Sequence, residues 1–245
     1  LKNAKGVAIN ADTSSDWNVS ASTETDSGFE VLLEGEQQGS NFSQVSTIDV
    51  DENGIGGDTN EWKNAEEAVQ SGWEDTYQSD IDNNGLITGG SSYKIASEVG
   101  AIELQTKSGK AWSDKSSNKW DAAASVQTDT GFEVLLEGEK NSSLYGKFFS
   151  WTTDNTGTIK SSSGWKAVSD VMQSGWEDTF QSDIDNDGLI TGGSFYKIAS
   201  DFGAIELKTK SGKGFNDKTN SKWDACAAVQ TDTGFEVLLE GEKNS

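Results

Sequence analysis

The run Trp17-Asn-Val-Ser-Ala-Ser-Thr-Glu-Thr-Asp-Ser-Gly28-Phe-Glu-Val-Leu-Leu-Glu-Gly-Glu36 decides the fold. Trp17, Val19 and Ala21 alternate with polar residues, the period of a strand with one buried face. Thr25-Asp-Ser-Gly28 then reverses the chain, because Asp, Ser and Gly suit a tight turn. Phe29-Glu-Val-Leu-Leu-Glu34 reads as the returning strand, so the expectation is a β-hairpin. It is not a single event. The nine residues from Gly28 to Glu36 stand again, unchanged, at 131–139 and 234–242.

Trp17, Trp120 and Trp223 mark the same period of 103 residues, with no insertion or deletion from Leu1 onward. Residues 127–142 and 230–245 are identical. Counted from the Gly-Phe-Glu motif, residues 1–27 end one copy, 28–130 and 131–233 are full copies, and 234–245 begin another. Each full copy divides again, into 28–71 and 72–130, and into 131–174 and 175–233. Both halves carry a glycine, an aromatic and a glutamate, as in Gly28-Phe-Glu and Gly72-Trp-Glu, and a strand-like segment is expected after each. A second hairpin is expected from Ser143–Trp151 through Asp154-Asn-Thr-Gly157 to Ile159. Trp165, Val168, Val171 and Met172 fall on one helical face, and Trp62–Val69 behaves alike, so short helices should link the hairpins. Units this small bury little surface alone and should pack on their neighbours. The fold class expected is mainly β: tandem antiparallel hairpin units, short helices and Asp-rich loops.

The loops carry the chemistry. Ser182-Asp-Ile-Asp-Asn-Asp-Gly-Leu-Ile-Thr-Gly-Gly193 and Ser79-Asp-Ile-Asp-Asn-Asn-Gly-Leu-Ile-Thr-Gly-Gly90 differ at one position. Asp183, Asp185 and Asp187, and Asp80, Asp82 and Asn84, put an oxygen at every second residue. A glycine comes next, and then Leu189 or Leu86, with a backbone carbonyl to offer. That is the first half of an EF-hand-type Ca²⁺ loop. The second half is missing, since Ser91 and Ser194 stand where the bidentate glutamate belongs. Further ligands must come from elsewhere, and Glu74 and Glu177 are the candidates, unless they are solvated strand residues. The competing reading is a plain Asx-Gly hairpin turn. A third loop offers Asp49, Asp51 and Asn53, but its counterpart at 152–157 keeps one carboxylate, Asp154, at the ligand positions.

The run Trp176-Glu-Asp-Thr-Phe180-Gln-Ser-Asp183-Ile-Asp-Asn-Asp-Gly-Leu-Ile190, its partner from Trp73, the recurring Gly-Phe-Glu-Val-Leu-Leu and the Phe149-Ser-Trp151 hairpin together resemble the tryptophan-rich C-terminal repeat family of cyanobacterial and other bacterial secreted proteins. The Leu-Ile-Thr-Gly-Gly exit departs from that family's shorter ending. The resemblance implies an extracellular, repetitive, non-enzymatic module.

Composition narrows the function classes. The formal charge is −22, and all 19 basic residues are lysine. Such a chain repels nucleic acid and anionic membranes and attracts divalent cations. With no histidine, the commonest general base and transition-metal ligand is missing. Paired carboxylates at Glu74-Asp75 and Glu177-Asp178 repeat, which an active site rarely does, so no enzyme is expected. Cys226 stands alone, where the other copy has Ala123, and is expected to be a small buried residue. The nine tryptophans are expected in the core, with a sugar-stacking row of Trp73, Trp151 and Trp176 as the alternative. The chain begins in mid-pattern without a leader and reads as a window on something longer. The expected function is a structural segment of a secreted bacterial surface protein (surface layer, filament or adhesin stalk), held by Ca²⁺ and associating with copies of itself. The alternative is a glycan-binding module for surface polysaccharide.

Overall fold

The computed structural model describes the chain except residues 3, 4, 6, 9–13, 15, 37, 38, 201, 202, 217–221, 232, 233 and 242–245. It is mainly β, with 17 strands in antiparallel sheets among the described residues. The first sheet runs β1 (Trp17–Thr25), β2 (Gly28–Gly35), β3 (Val45–Asp51), β4 (Gly56–Thr59) in that order. Two short helices come next, α1 (Ala65–Gln70) and α2 (Trp73–Tyr77), and then a small sheet of β5 (Leu86–Ile87), β6 (Lys94–Ile95) and β7 (Ile102–Glu103). The series then restarts with β8 (Trp120–Thr128), β9 (Gly131–Gly138), β10 (Lys147–Asp154), β11 (Ile159–Ser162) and β12 (Lys166–Ala167). Helices α3 (Val168–Gln173) and α4 (Trp176–Phe180) and a small sheet of β13 (Leu189–Ile190), β14 (Lys197–Ile198) and β15 (Ile205–Glu206) complete the second series. A last hairpin pairs β16 (Trp223–Thr231) with β17 (Gly234–Gly241).

The hairpin read from Trp17 to Glu36 is present, with Thr25 opposite Gly28 and a two-residue turn between them. Each copy of it carries a bulge near its start, between Val19 and Ala21, Ala122 and Ala124, and Ala225 and Ala227. Cys226 is the extra residue of the third bulge. It is half-buried, not buried, its Sγ reaching Leu238 O across the hairpin at 3.5 Å.

A period fixes length but not phase. The cuts at 27/28 and 130/131 fall inside hairpin turns, and the cuts at 71/72 and 174/175 fall between paired helices. A sheet begins at Trp17 and again at Trp120. The expected likeness of the two halves fails. Gly28-Phe-Glu opens a strand, but Gly72-Trp-Glu opens α2 and Gly175-Trp-Glu opens α4. The residues after the motif decide between the two. Val-Leu-Leu favours a pleated, two-sided environment, whereas Asp-Thr-Tyr-Gln has no such run. Gly72 (φ +76°) lets the chain leave α1 and enter α2 at once, and Gln78 (φ +52°) ends α2. Asn64 and Glu67 cap α1 reciprocally, Glu67 N donating to Asn64 Oδ1 at 2.8 Å.

In β2 and β9 the Val-Leu-Leu run is buried on both faces, and in β9 the two covers differ. Leu135 packs with Phe148, Val171, Phe180 and Ile184, on the helix side. Phe132, Val134 and Leu136 pack with Leu86, Tyr93, Ile95 and Leu104, from the small sheet of the preceding series. The second large sheet thus lies between its own helix pair and the small sheet before it. Leu32 repeats the helix-side contact with Ala65, Ala68, Tyr77 and Ile81. Removing such a leucine side chain costs about 2–5 kcal/mol. A second tie joins series to series: Gln105 N donates to Gly157 O at 3.0 Å, and Ile159 N to Gln105 O at 2.9 Å. No helix among the described residues is long and apolar enough to cross a membrane.

Candidate metal centres

The acidic loop leaves α2 and reaches β5. Glu74, on the inner face of α2, is fully buried. Its Oε1 accepts Ile81 N at 3.0 Å, and its Oε2 accepts Thr88 N at 2.9 Å and Thr88 Oγ1 at 2.8 Å. One carboxylate therefore clamps both ends of the loop. Glu177 repeats the clamp on Ile184 and Thr191 at matching distances. Glu74 and Glu177 are thus interior helix residues and not solvated strand residues.

Inside the clamp, Asp80 Oδ1 and Oδ2 accept Asn84 N at 3.1 Å and Gly85 N at 2.8 Å. Asp82 Oδ1 also accepts Asn84 N, at 3.2 Å. One oxygen from each of Glu74, Asp80 and Asp82 lies within 4.8 Å of the others, and Glu177, Asp183 and Asp185 form the twin group. Ca²⁺ holds oxygens at 2.3–2.6 Å, so ligands around one ion stand up to about 5 Å apart. An ionised carboxylate has about four lone-pair sites, so these hydrogen bonds do not exhaust the group.

Electrostatics point the same way. Burial, with Asp82 nearby, raises the Glu74 pKa. Asp80 and Asp82 are likewise pushed well above the carboxylate range, by burial first and then by their acidic neighbours. In the twin loop, burial raises Glu177 and Asp183 and takes Asp187 up to about 6. Negative charge has been gathered into partly dry sites where a bound cation would compensate it.

The other sequence candidates fall in several places. Asn84 Oδ1 accepts Leu86 N at 2.7 Å, and Asp187 Oδ1 accepts Leu189 N at 2.8 Å, so each caps the loop's exit. Leu86 and Leu189 bury their side chains in the core. Asp49 sits within β3 opposite Glu30, exposed. Asp51 Oδ1 accepts Asn53 N at 2.9 Å and Ile55 N at 2.8 Å, which lowers the Asp51 pKa, Ile55 contributing most. Asp154 holds the counterpart turn the same way, through Thr156 N and Thr158 N. Among the described residues, the groups of three or more acids close enough for one ion are the two triads, neither of which includes 49–54. Thr88 and Thr191, which hold the clamping glutamates, have no sequence signal beyond their repetition.

The loops also face their neighbours. Asn84 O accepts Ser125 N at 2.7 Å, and Asp187 O accepts Ala228 N at 2.8 Å, so each loop is hydrogen-bonded to the next hairpin. Asp82 and Asn83 of one loop and Asp183 and Asn186 of the other line one cleft of about 560 Å³, with Phe180 and Ile190 on its apolar side.

The tryptophans sit against the core. Trp151 is 8% exposed, and Trp112 and Trp120 pack on it at 5.3 and 5.2 Å between centroids. Lys63 lies over Trp73 at 4.7 Å and Lys166 over Trp176 at 4.9 Å, so each ring already has a cation on a face that a sugar would need. No family model, curated protein or solved structure matches this chain.

Proposed function

We propose that this chain is a structural repeat segment of a secreted bacterial surface protein, in which Ca²⁺ fixes the joint between successive repeats. One observation carries the reading: two carboxylates of each triad sit in the loop whose backbone is bonded to the next hairpin, and the third, on the helix before it, clamps that loop. A divalent cation there offsets most of the charge of three carboxylates and stiffens that loop at once. Calcium is chosen over softer metals because the donors are all oxygen and the loop offers neither imidazole nor thiolate. Self-association is part of the proposal. Near-identical repeats present one contact surface again and again, which suits association between copies, and exposed strand edges can take a strand from another copy. The tryptophan-rich resemblance and the acidic, lysine-only charge support an extracellular setting.

The test is a thermal melt in millimolar Ca²⁺ and in chelator, for wild type, Asp80→Ala and Asp183→Ala. Binding to the folded state alone stabilises by about 2.7 kcal/mol at a hundredfold excess over Kd. A large shift that each variant diminishes supports the metal sites; no shift in wild type removes them. Sedimentation at rising concentration, with and without Ca²⁺, tests assembly separately, and a monomer throughout would end that part of the proposal.

A further inference from the structure

The chain has two Asn-Gly steps, Asn53-Gly54 and Asn84-Gly85, and they sit in opposite surroundings. At such a step the glycine nitrogen can reach the side-chain amide carbon, since glycine has no Cβ to hinder the approach. Asn53 is exposed at the tip between β3 and β4. A Cβ on Gly54 would meet nothing within 4 Å, so a ring can form there and water can reach it. The Gly54 N–H is held by the turn's own bond to Asp51 O, at 2.9 Å.

Asn84-Gly85 is closed in. Gly85 N donates to the Asp80 carboxylate, Asn84 Oδ1 accepts Leu86 N, and Asn84 O accepts Ser125 N. A Cβ on Gly85 would lie 2.1 Å from Ser125 O. One period later the steps read Thr156-Gly157 and Asp187-Gly188, so neither counterpart has an amide to lose.

We propose that Asn53 is a self-modification site, at which deamidation loosens one inter-repeat joint and leaves its twin intact. The Gly54 nitrogen attacks Asn53 Cγ, and the side-chain amide departs as ammonia, closing a succinimide. Water opens that ring at either carbonyl to give aspartate or isoaspartate. One water is consumed and one ammonia released, with no change of oxidation state. The isoaspartate product adds a carbon to the backbone inside the turn. That turn is a joint: Lys2 N donates to Gly54 O and Gly56 N to Lys2 O, both at 2.7 Å. The same joint in the next series, Gln105 with Gly157 and Ile159, has no Asn-Gly step at its tip and keeps its geometry.

The experiment is to age the folded protein in mildly alkaline buffer and map peptides by mass and isoaspartate content, with urea-unfolded protein as the reference. The folded chain should convert Asn53 at least about tenfold faster than Asn84, because Gly85 is packed against Ser125 O and a ring can form there only when the loop opens locally, whereas Gly54 faces open space. In urea the two rates should come together. Equal rates in the folded chain, or an Asn53 that stays intact while the unfolded chain reacts, would overturn the assignment. Hydrogen exchange after ageing should show faster exchange at Gly56 N–H and no change at Ile159 N–H. Unchanged Gly56 protection in converted protein would overturn the loosening.

Discussion

Gly85 and Ser125 meet backbone to backbone, one in the acidic loop and the other in the first strand of the next sheet. Ser125 Oγ donates to Gly85 O, and there is no room for a Cβ between them. Gly188 and Ala228 repeat the contact, with a Cβ on Gly188 falling 2.0 Å from Ala228 O. The candidate metal loop and the inter-repeat contact are therefore one piece of chain, and a disturbance of either reaches the other.

Gly85→Ala separates packing from backbone strain. Gly85 (φ +83°) and Gly72 (φ +76°) are both left-handed, but a Cβ on Gly72 meets nothing within 4 Å. Gly72→Ala should cost about 1 kcal/mol, the left-handed penalty alone. Gly85→Ala should cost more than about 2 kcal/mol, because the sheet must also move. Urea denaturation of both variants in chelator reads the difference, and equal losses would mean that the loop does not bear on the sheet.

Glu74→Gln tests the clamp apart from the metal. The glutamate accepts three hydrogen bonds, and an amide in its place turns an NH₂ toward Ile81 N or toward Thr88. Leaving a buried donor without an acceptor costs about 1–3 kcal/mol, so the variant should melt lower in chelator as well as lose its Ca²⁺ response. A variant more stable than wild type in chelator would show that relief of buried charge outweighs the clamp.

The hairpins and the acidic loops are legible in the sequence because each is a local pattern. Alternation from Trp17, a two-residue turn and the spacing of Asp80 and Asp82 need no distant partner. Glu74 can be named from sequence but not placed. It lies seven residues from Ile81 and fourteen from Thr88, and only the α2 turn brings them together. The small sheets are not legible at all. Leu86-Ile87, Lys94-Ile95 and Ile102-Glu103 are two residues each, too short to show a period, and their pairing is set by the Val-Leu-Leu strand they cover. Gly72-Trp-Glu misleads for the same reason. A three-residue motif is shared by strand starts and helix starts, and only the longer run after it separates them.

Lys94 and Lys197 offer a control for general electrostatics. Lys94 Nζ lies 2.6 Å from Asp75 Oδ1, and Lys197 Nζ the same distance from Asp178 Oδ1, each tying a small sheet to a helix. These pairs are part-exposed, and such pairs are worth about 0–1 kcal/mol. Lys94→Met should shift the melt little and leave the Ca²⁺ increment unchanged. A lost increment would move the cation response away from the triad.

Acidification should stabilise the metal-free protein. The buried acids have folded-state pKa values above the ordinary ones, that of Asp187 reaching about 6, against about 3.9 in the unfolded chain. The folded state therefore binds protons over a range where the unfolded chain has lost them. The stability from this source is complete below the unfolded value and disappears as pH rises through the folded one. In chelator the melting temperature should rise on going from about pH 8 to about pH 5. With Ca²⁺ the same protons compete for the ligand oxygens, so the increment from the metal should shrink over that interval and the two curves should converge. Asp82→Asn and Asp187→Asn together should flatten the chelator curve by removing a titrating carboxyl from each loop. Relief of the chain's general negative charge has the same sign, and the double variant measures it, since it removes two of 41 acidic residues and leaves the rest. A chelator curve that falls on acidification in wild type would mean that the loop carboxylates are already compensated in the fold, and the case for a cation between Glu74, Asp80 and Asp82 would lose its electrostatic basis.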